Sequence, residues 1–166
     1  MRTSAKQMAL GGIMAALAVT IMSLGGLIPV ATYVCPMLCA ILLLVVYLSC
    51  GSRIAWAWYG AVAILSLLMG PDKEAAAVFV FLGYYPILKP WLDKRKLSLV
   101  WKLLLFNCAV LTMYRLLLNL FGMAQLAAEF SELGLVLGIV LLLMGNLTFF
   151  LLDIVLGRLL YRKGRR

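Results

Sequence analysis

Six mainly apolar stretches run through this chain of 166 residues, and most of its charged residues fall between them. Nothing else in the sequence limits the fold so tightly. A helix that crosses the ~30 Å hydrocarbon core of a bilayer needs about 20 predominantly apolar residues. The stretches cover residues 8–28, 33–50, 54–69, 75–88, 99–121 and 133–160. Hydrophobic residues make up 66% of the chain and charged residues 13%, against roughly 45–50% and about 25% in a soluble domain. A small soluble domain leaves too much surface in water to hide that much apolar area. The expected fold class is therefore an all-α membrane protein, a six-transmembrane-helix bundle forming one integral membrane domain over residues 1–166.

Proline marks several of the span ends. Pro29 closes the first span, Pro36 lies near the start of the second, and Gly70-Pro71 ends the third. The fourth span is the shortest, followed by Lys89-Pro90, and is expected to tilt or to kink near Tyr85-Pro86. The first span lies behind Arg2 and Lys6 and is long enough to cross a bilayer. It reads as a retained helix and not as a cleaved signal peptide.

The net charge is +9. Its distribution argues for a membrane and against a nucleic-acid partner, because the cations cluster at the ends of apolar runs. Arg2 and Lys6, then Arg53, then Lys89, Lys94, Arg95, Lys96 and Lys102, then Arg158, Arg162, Lys163, Arg165 and Arg166 all fall on one side if six spans are threaded. The other side holds only Lys73, and Arg115 lies within a span. This asymmetry places both termini in the cytoplasm of a multi-pass cell-membrane protein. The outer loops, 29–32, 70–74 and 122–132, are then short, and the last carries Glu129 and Glu132 without a cation. Anything bound on that side must sit between helices.

Within this frame the few polar residues stand out. Asp72, Lys73 and Glu74 follow Pro71 at the outer start of the fourth span. Carboxylates in a first turn complement the helix dipole, so a cap explains them, and a cap leaves room for a pocket. Arg115 lies about two turns inside the fifth span, where an ionisable group is costly and calls for a partner. Asp72 and Glu74 are the candidates. Cys108, Thr112, Arg115 and Asn119 follow a 4-3-4 spacing and share one helical face. Asn107 and Asn146 fall near mid-depth on the last two spans and are expected to bond to each other across helices. Tyr84 and Tyr85 sit in the inner part of the fourth span. Asp153 is expected to pair locally with Arg158. Gly11/Ala15 and Gly12/Ala16 are small-x-x-x-small pairs that let another helix approach the first, either inside the protein or from a partner.

Histidine is absent, and no HExxH, Asp-rich diphosphate motif, G-x-S-x-G or P-loop occurs. Neither enzyme activity nor a cofactor or metal is expected. The four cysteines, Cys35, Cys39, Cys50 and Cys108, fall in or beside apolar runs and read as packing residues.

In its length, six spans, cytoplasmic ends, small-x-x-x-small first helix and short loops, the chain resembles the substrate-binding S components of energy-coupling factor (ECF) transporters. Its run from Pro71 to Pro90 resembles that of uncharacterised bacterial membrane proteins grouped near them. The resemblance covers nearly the whole chain as architecture. It implies a small-molecule substrate held at the outer side by the outer loops and the later helices. It also implies a first helix whose small-residue face meets a transmembrane coupling subunit, with two separate ATPase subunits driving the cycle. Carried onto this sequence, Gly12 and Ala16 lie at the partner face, and Asp72, Lys73, Glu74, Arg115 and Asn119 lie near the ligand, with Thr112 adding a hydrogen bond. No vitamin-specific motif is present. The competing expectation is a structural or assembly membrane protein without a ligand, its polar residues serving only to hold helices together.

Overall fold

A bilayer leaves backbone groups no water to bond, so an apolar chain must close its hydrogen bonds within each segment. The described elements follow that rule. In the computed structural model, residues 2–25, 31–120 and 124–163 are described, with side chains over 5–24, 32–116 and most of 139–161. They form seven helices: α1 (Arg2–Gly25), α2 (Ala31–Cys50), α3 (Ser52–Met69), α4 (Lys73–Leu82), α5 (Tyr85–Leu92), α6 (Ser98–Leu120) and α7 (Ala124–Lys163). No strand occurs among the described residues. Among the described residues six segments are long and apolar enough to cross a membrane, and α4 with α5 makes one of them, Lys73–Leu92. The all-α, six-span expectation holds. The chain divides into two compact units, Met1–Lys96 and Leu97–Arg166.

In the first unit the small residues of α1 set the packing. Gly11, Ala18 and Met22 are buried, and Trp58 Nε1 of α3 donates to the Gly11 carbonyl at 3.1 Å. A Cβ at Gly11 would meet Ile54 at 3.9 Å, an ordinary van der Waals contact, so the small residue leaves room for close packing without being the only one that fits. The core continues through Cys39, Leu43 and Val46 of α2, Ala55, Trp58 and Val62 of α3, and Ala75, Ala76 and Phe79 of α4. Cys39 packs there as a buried thiol, its Sγ 3.5 Å from the Ala18 carbonyl. Between α2 and α3 the chain turns at Gly51, whose φ of 86° is a left-handed conformation that glycine adopts without strain.

The fourth span breaks where the sequence leads one to expect it. α4 stops at Leu82, and α5 starts at Tyr85 with Pro86 in its first turn. A Cβ on Gly83 would fall 2.7 Å from the Phe79 ring and closer still to the Phe79 carbonyl, so only glycine fits. α5 then runs on to Leu92, past Lys89 and Pro90, four residues beyond the expected end.

Two other boundaries differ from expectation, and a third lies outside the described residues. α1 is described to Gly25, and residues 26–30, Pro29 among them, lie outside the described residues. α2 begins at Ala31, which puts Pro36 inside the helix instead of at its start. Its missing N–H leaves the Thr32 carbonyl without the usual helical donor. α7 is 40 residues long, about 60 Å at 1.5 Å per residue. Residues 124–132, expected in a loop, belong to this helix. Ala124, Leu126, Ala127, Ala128 and Glu129 are strong helix formers, and no proline interrupts them. The side chains of Glu129 and Glu132 lie outside the described residues.

The second unit is an antiparallel pair. Phe106 of α6 stacks on Phe149 of α7 with ring centroids 4.6 Å apart. A Cβ at position 145 would lie 3.5 Å from the Phe106 ring, so Gly145 leaves that ring room.

Candidate functional site

The acidic turn is built as a cap. Asp72 is the N-cap of α4, accepting from the Ala75 N–H at 3.0 Å through Oδ1, the arrangement expected of an aspartate before a helix. Its other oxygen accepts from Thr32 Oγ1 at 2.7 Å, which ties the start of α4 to the start of α2. Glu74, in the first turn, accepts from the Tyr33 hydroxyl at 3.0 Å. Lys73 turns back to α3 and donates to the carbonyls of Leu67 at 2.8 Å and Gly70 at 3.0 Å. Those carbonyls end α3 and lack helical donors, so the ammonium meets both their hydrogen-bonding need and the negative pole of the helix. Thr32 and Tyr33 could have been found from the sequence as the polar residues opening the second span, at the same depth as residues 72–74.

A second cluster forms where the fourth span breaks. The Tyr59 hydroxyl donates to the Val80 carbonyl, which would otherwise bond the N–H four residues on, where α4 has ended. Tyr84 stacks against Trp56 at 6.5 Å and meets Tyr59 edge-on at 6.0 Å. Tyr85 is buried at 1% exposure. A break inside a membrane span thus has a side-chain donor and an aromatic wall around it.

In the second unit Asn107 and Asn146 donate to each other's side-chain carbonyls at 3.0 and 3.1 Å. Each also bonds back to its own helix, to Leu103 and Leu142. The amides close on one another as expected. Asp153 does not follow expectation. It pairs with Lys102 of α6 at 3.0 Å, because a residue five positions away on a helix, as Arg158 is, points to another face. Lys102, grouped above with the loop cations, lies on α6 and is buried. The clue was present: it falls inside the fifth apolar stretch, opposite Asp153 in an antiparallel pair.

The stripe on α6 is exposed. Its buried residues are Lys102, Phe106, Ala109 and Met113, whereas Cys108, Thr112 and Arg115 are exposed. Thr112 Oγ1 bonds back to the Cys108 carbonyl at 2.7 Å. Arg115 makes no ion pair among the described residues, and the Asp72 carboxylate expected to balance it bonds Thr32 and Ala75. The Asn119 side chain lies outside the described residues.

The two small-residue pairs of α1 part company. Gly11 is buried on the inner face, while Gly12 and Ala16 are exposed, and a Cβ at Gly12 would meet nothing within 4 Å. No group of histidine, cysteine or carboxylate side chains that could hold a metal occurs among the described residues. No family model, no curated protein and no solved structure matches this chain.

Proposed function

We propose that this chain is the substrate-binding membrane subunit of an ECF-type importer. In this reading it binds a small molecule between helices near the outer face and docks on a transmembrane coupling subunit driven by separate ATPases. It performs no chemistry itself. The observation that carries the reading is the split of α1 into two small-residue faces, one spent on internal packing at Gly11 and one left open at Gly12 and Ala16. A face of small residues is what close helix approach in lipid requires. Arg115 adds support, since an exposed charge toward the end of a spanning helix still carries part of the cost, about 2.5–3.5 kcal/mol at mid-depth, and an anionic ligand group would offset that cost. The charge asymmetry of the sequence supports a cell-membrane location with both termini cytoplasmic.

Native mass spectrometry of the tagged chain, extracted gently from its own membranes, tests this. The expected result is a complex containing a coupling subunit and ATPases. Gly12→Leu with Ala16→Leu should lose that complex, and Arg115→Ala should lose a small-molecule adduct while keeping the subunits. A chain carrying only lipid would overturn the reading. The rival, a non-catalytic structural or assembly protein, is favoured by one observation: Asp72, Lys73 and Glu74 all bond within their own unit. Under it, Arg115→Ala changes no adduct.

A further inference from the structure

The first unit is electrically lopsided along its helices. Gln7 Nε2 donates to the Ser49 carbonyl at 3.3 Å, which puts the start of α1 beside the end of α2. α3 leaves from that same end through Gly51, and the α4–α5 span returns to it, as the Trp56–Tyr84 and Tyr59–Phe79 ring contacts show. Five cations collect there: Lys6, Arg53, Lys94, Arg95 and Lys96. All five are exposed, and none makes an ion pair among the described residues. The one carboxylate at this end, Asp93, lies 3.5 Å from Lys89. The unit's other two carboxylates, Asp72 and Glu74, are at the far end with Lys73.

The residues around these cations specify what the surface faces. Leu92 ends one candidate membrane span and Ser98 begins the next, so the five residues between them lie at a membrane boundary. Trp91 is 56% exposed, and the Arg95 guanidinium stands 4.4 Å above its ring. A tryptophan with an open apolar face at a span end is typical of the headgroup level. Arginine stacked on a ring keeps its N–H edge free for a phosphate.

We propose that this basic end of the first unit is a docking surface for anionic phospholipid headgroups. Arg95, Lys94 and Lys96 contact the phosphates, Lys6 and Arg53 extend the positive field, and Trp91 is seated at the glycerol level. The exposed indole sets a lipid apart from free phosphate, which offers no apolar contact. The position between two spans favours lipid over nucleic acid. The inference stands independently of the import reading.

The test uses the full-length chain in mixed micelles of equimolar phosphatidylglycerol and phosphatidylcholine, with retained lipids counted by native mass spectrometry. Each cation near an anionic surface contributes about fivefold to binding. With Lys94, Arg95 and Lys96 acting together, wild type should therefore retain phosphatidylglycerol over phosphatidylcholine by up to on the order of a hundredfold. The triple variant K94Q/R95Q/K96Q should lose most of that preference. R95K, which keeps the charge, and K73Q, at the opposite end, should keep it. Should the triple variant fail to fold, R95Q and K94Q alone should each show a partial fall. The proposal is overturned by equal retention of both lipids in wild type, by a preference unchanged in the triple variant, or by an equal fall in K73Q. It is also overturned if a short RNA in excess displaces the retained phosphatidylglycerol.

Discussion

The two units handle their polar groups in different ways. In the first, many side chains reach for backbone: Trp58 bonds the Gly11 carbonyl, Tyr59 the Val80 carbonyl, Lys73 those of Leu67 and Gly70, and Asp72 the Ala75 N–H, with Thr32–Asp72 and Tyr33–Glu74 joining side chains at the acidic turn. In the second, side chains bond each other across the helix pair, Asn107 with Asn146 and Lys102 with Asp153. The cause lies in the helices. The first unit has turns, a break at Gly83 and an internal Pro36, each of which frees backbone groups that lipid cannot satisfy. α6 and α7 close their own backbones over long unbroken runs, so the polar bonds that join the two helices run between side chains, while Asn107, Thr112, Asn146 and Thr148 also bond back to their own helices. Spanning helices thus hold together either by mending their defects or by placing paired groups on intact rods.

The largest test of this contrast is at Lys102. Its side chain and that of Asp153 are 9% and 16% exposed, so Lys102→Met leaves a buried carboxylate without its cation and should destabilise the second unit by about 3–5 kcal/mol. Adding Asp153→Leu should recover most of that, as read by denaturant unfolding in bicelles. If the double variant is no better than the single, the pair is not what holds Asp153. Next is the break in the fourth span. Gly83→Ala forces a methyl against the Phe79 ring and carbonyl and should cost about 1–3 kcal/mol, whereas Gly12→Ala, in open space, should be close to neutral. At the acidic turn, Asp72→Ala removes the cap and the Thr32 bond and should cost about 1 kcal/mol, while Asp72→Asn keeps the cap and most of the stability. Faster hydrogen exchange confined to the start of α4 would localise the effect. The smallest change is expected at the amide pair. Asn107→Leu should cost about 0.6 kcal/mol, the average for such bonds in a membrane, and Asn107→Leu with Asn146→Leu should cost less than the sum of the two singles. A loss well above 2 kcal/mol at Asn107 would mean the amides do more than join two helices.

Much of this arrangement was legible beforehand. Six spans follow from run length, the break near Tyr85-Pro86 from proline chemistry, and the Asn107–Asn146 bond from equal depth on neighbouring spans. The cap at Asp72 is a local rule of helix starts. Errors arose where the partner lay far along the chain. Lys102 reads from the sequence as one of the loop cations, because charge suggests solvent, although a cation with a buried counter-ion needs none. The sequence offers Asp153 a cation nearby at Arg158, but helix geometry turns that residue away. The segment before Leu133 falls outside the apolar runs and so reads as a loop, although its alanines and leucine favour a helix.

The sequence by itself determined that this is an all-helical chain for a membrane, because run length and charge spacing reflect a solvent that tolerates neither open backbone nor lone charge. Tertiary structure alone decided which small face of α1 is used inside and which stays open, which cation meets Asp153, and that the Arg95 guanidinium stacks on the Trp91 ring. Those outcomes depend on which helices run antiparallel and how far each slides past its neighbour. Such offsets come from side chains packing across long sequence separations, which no local pattern records.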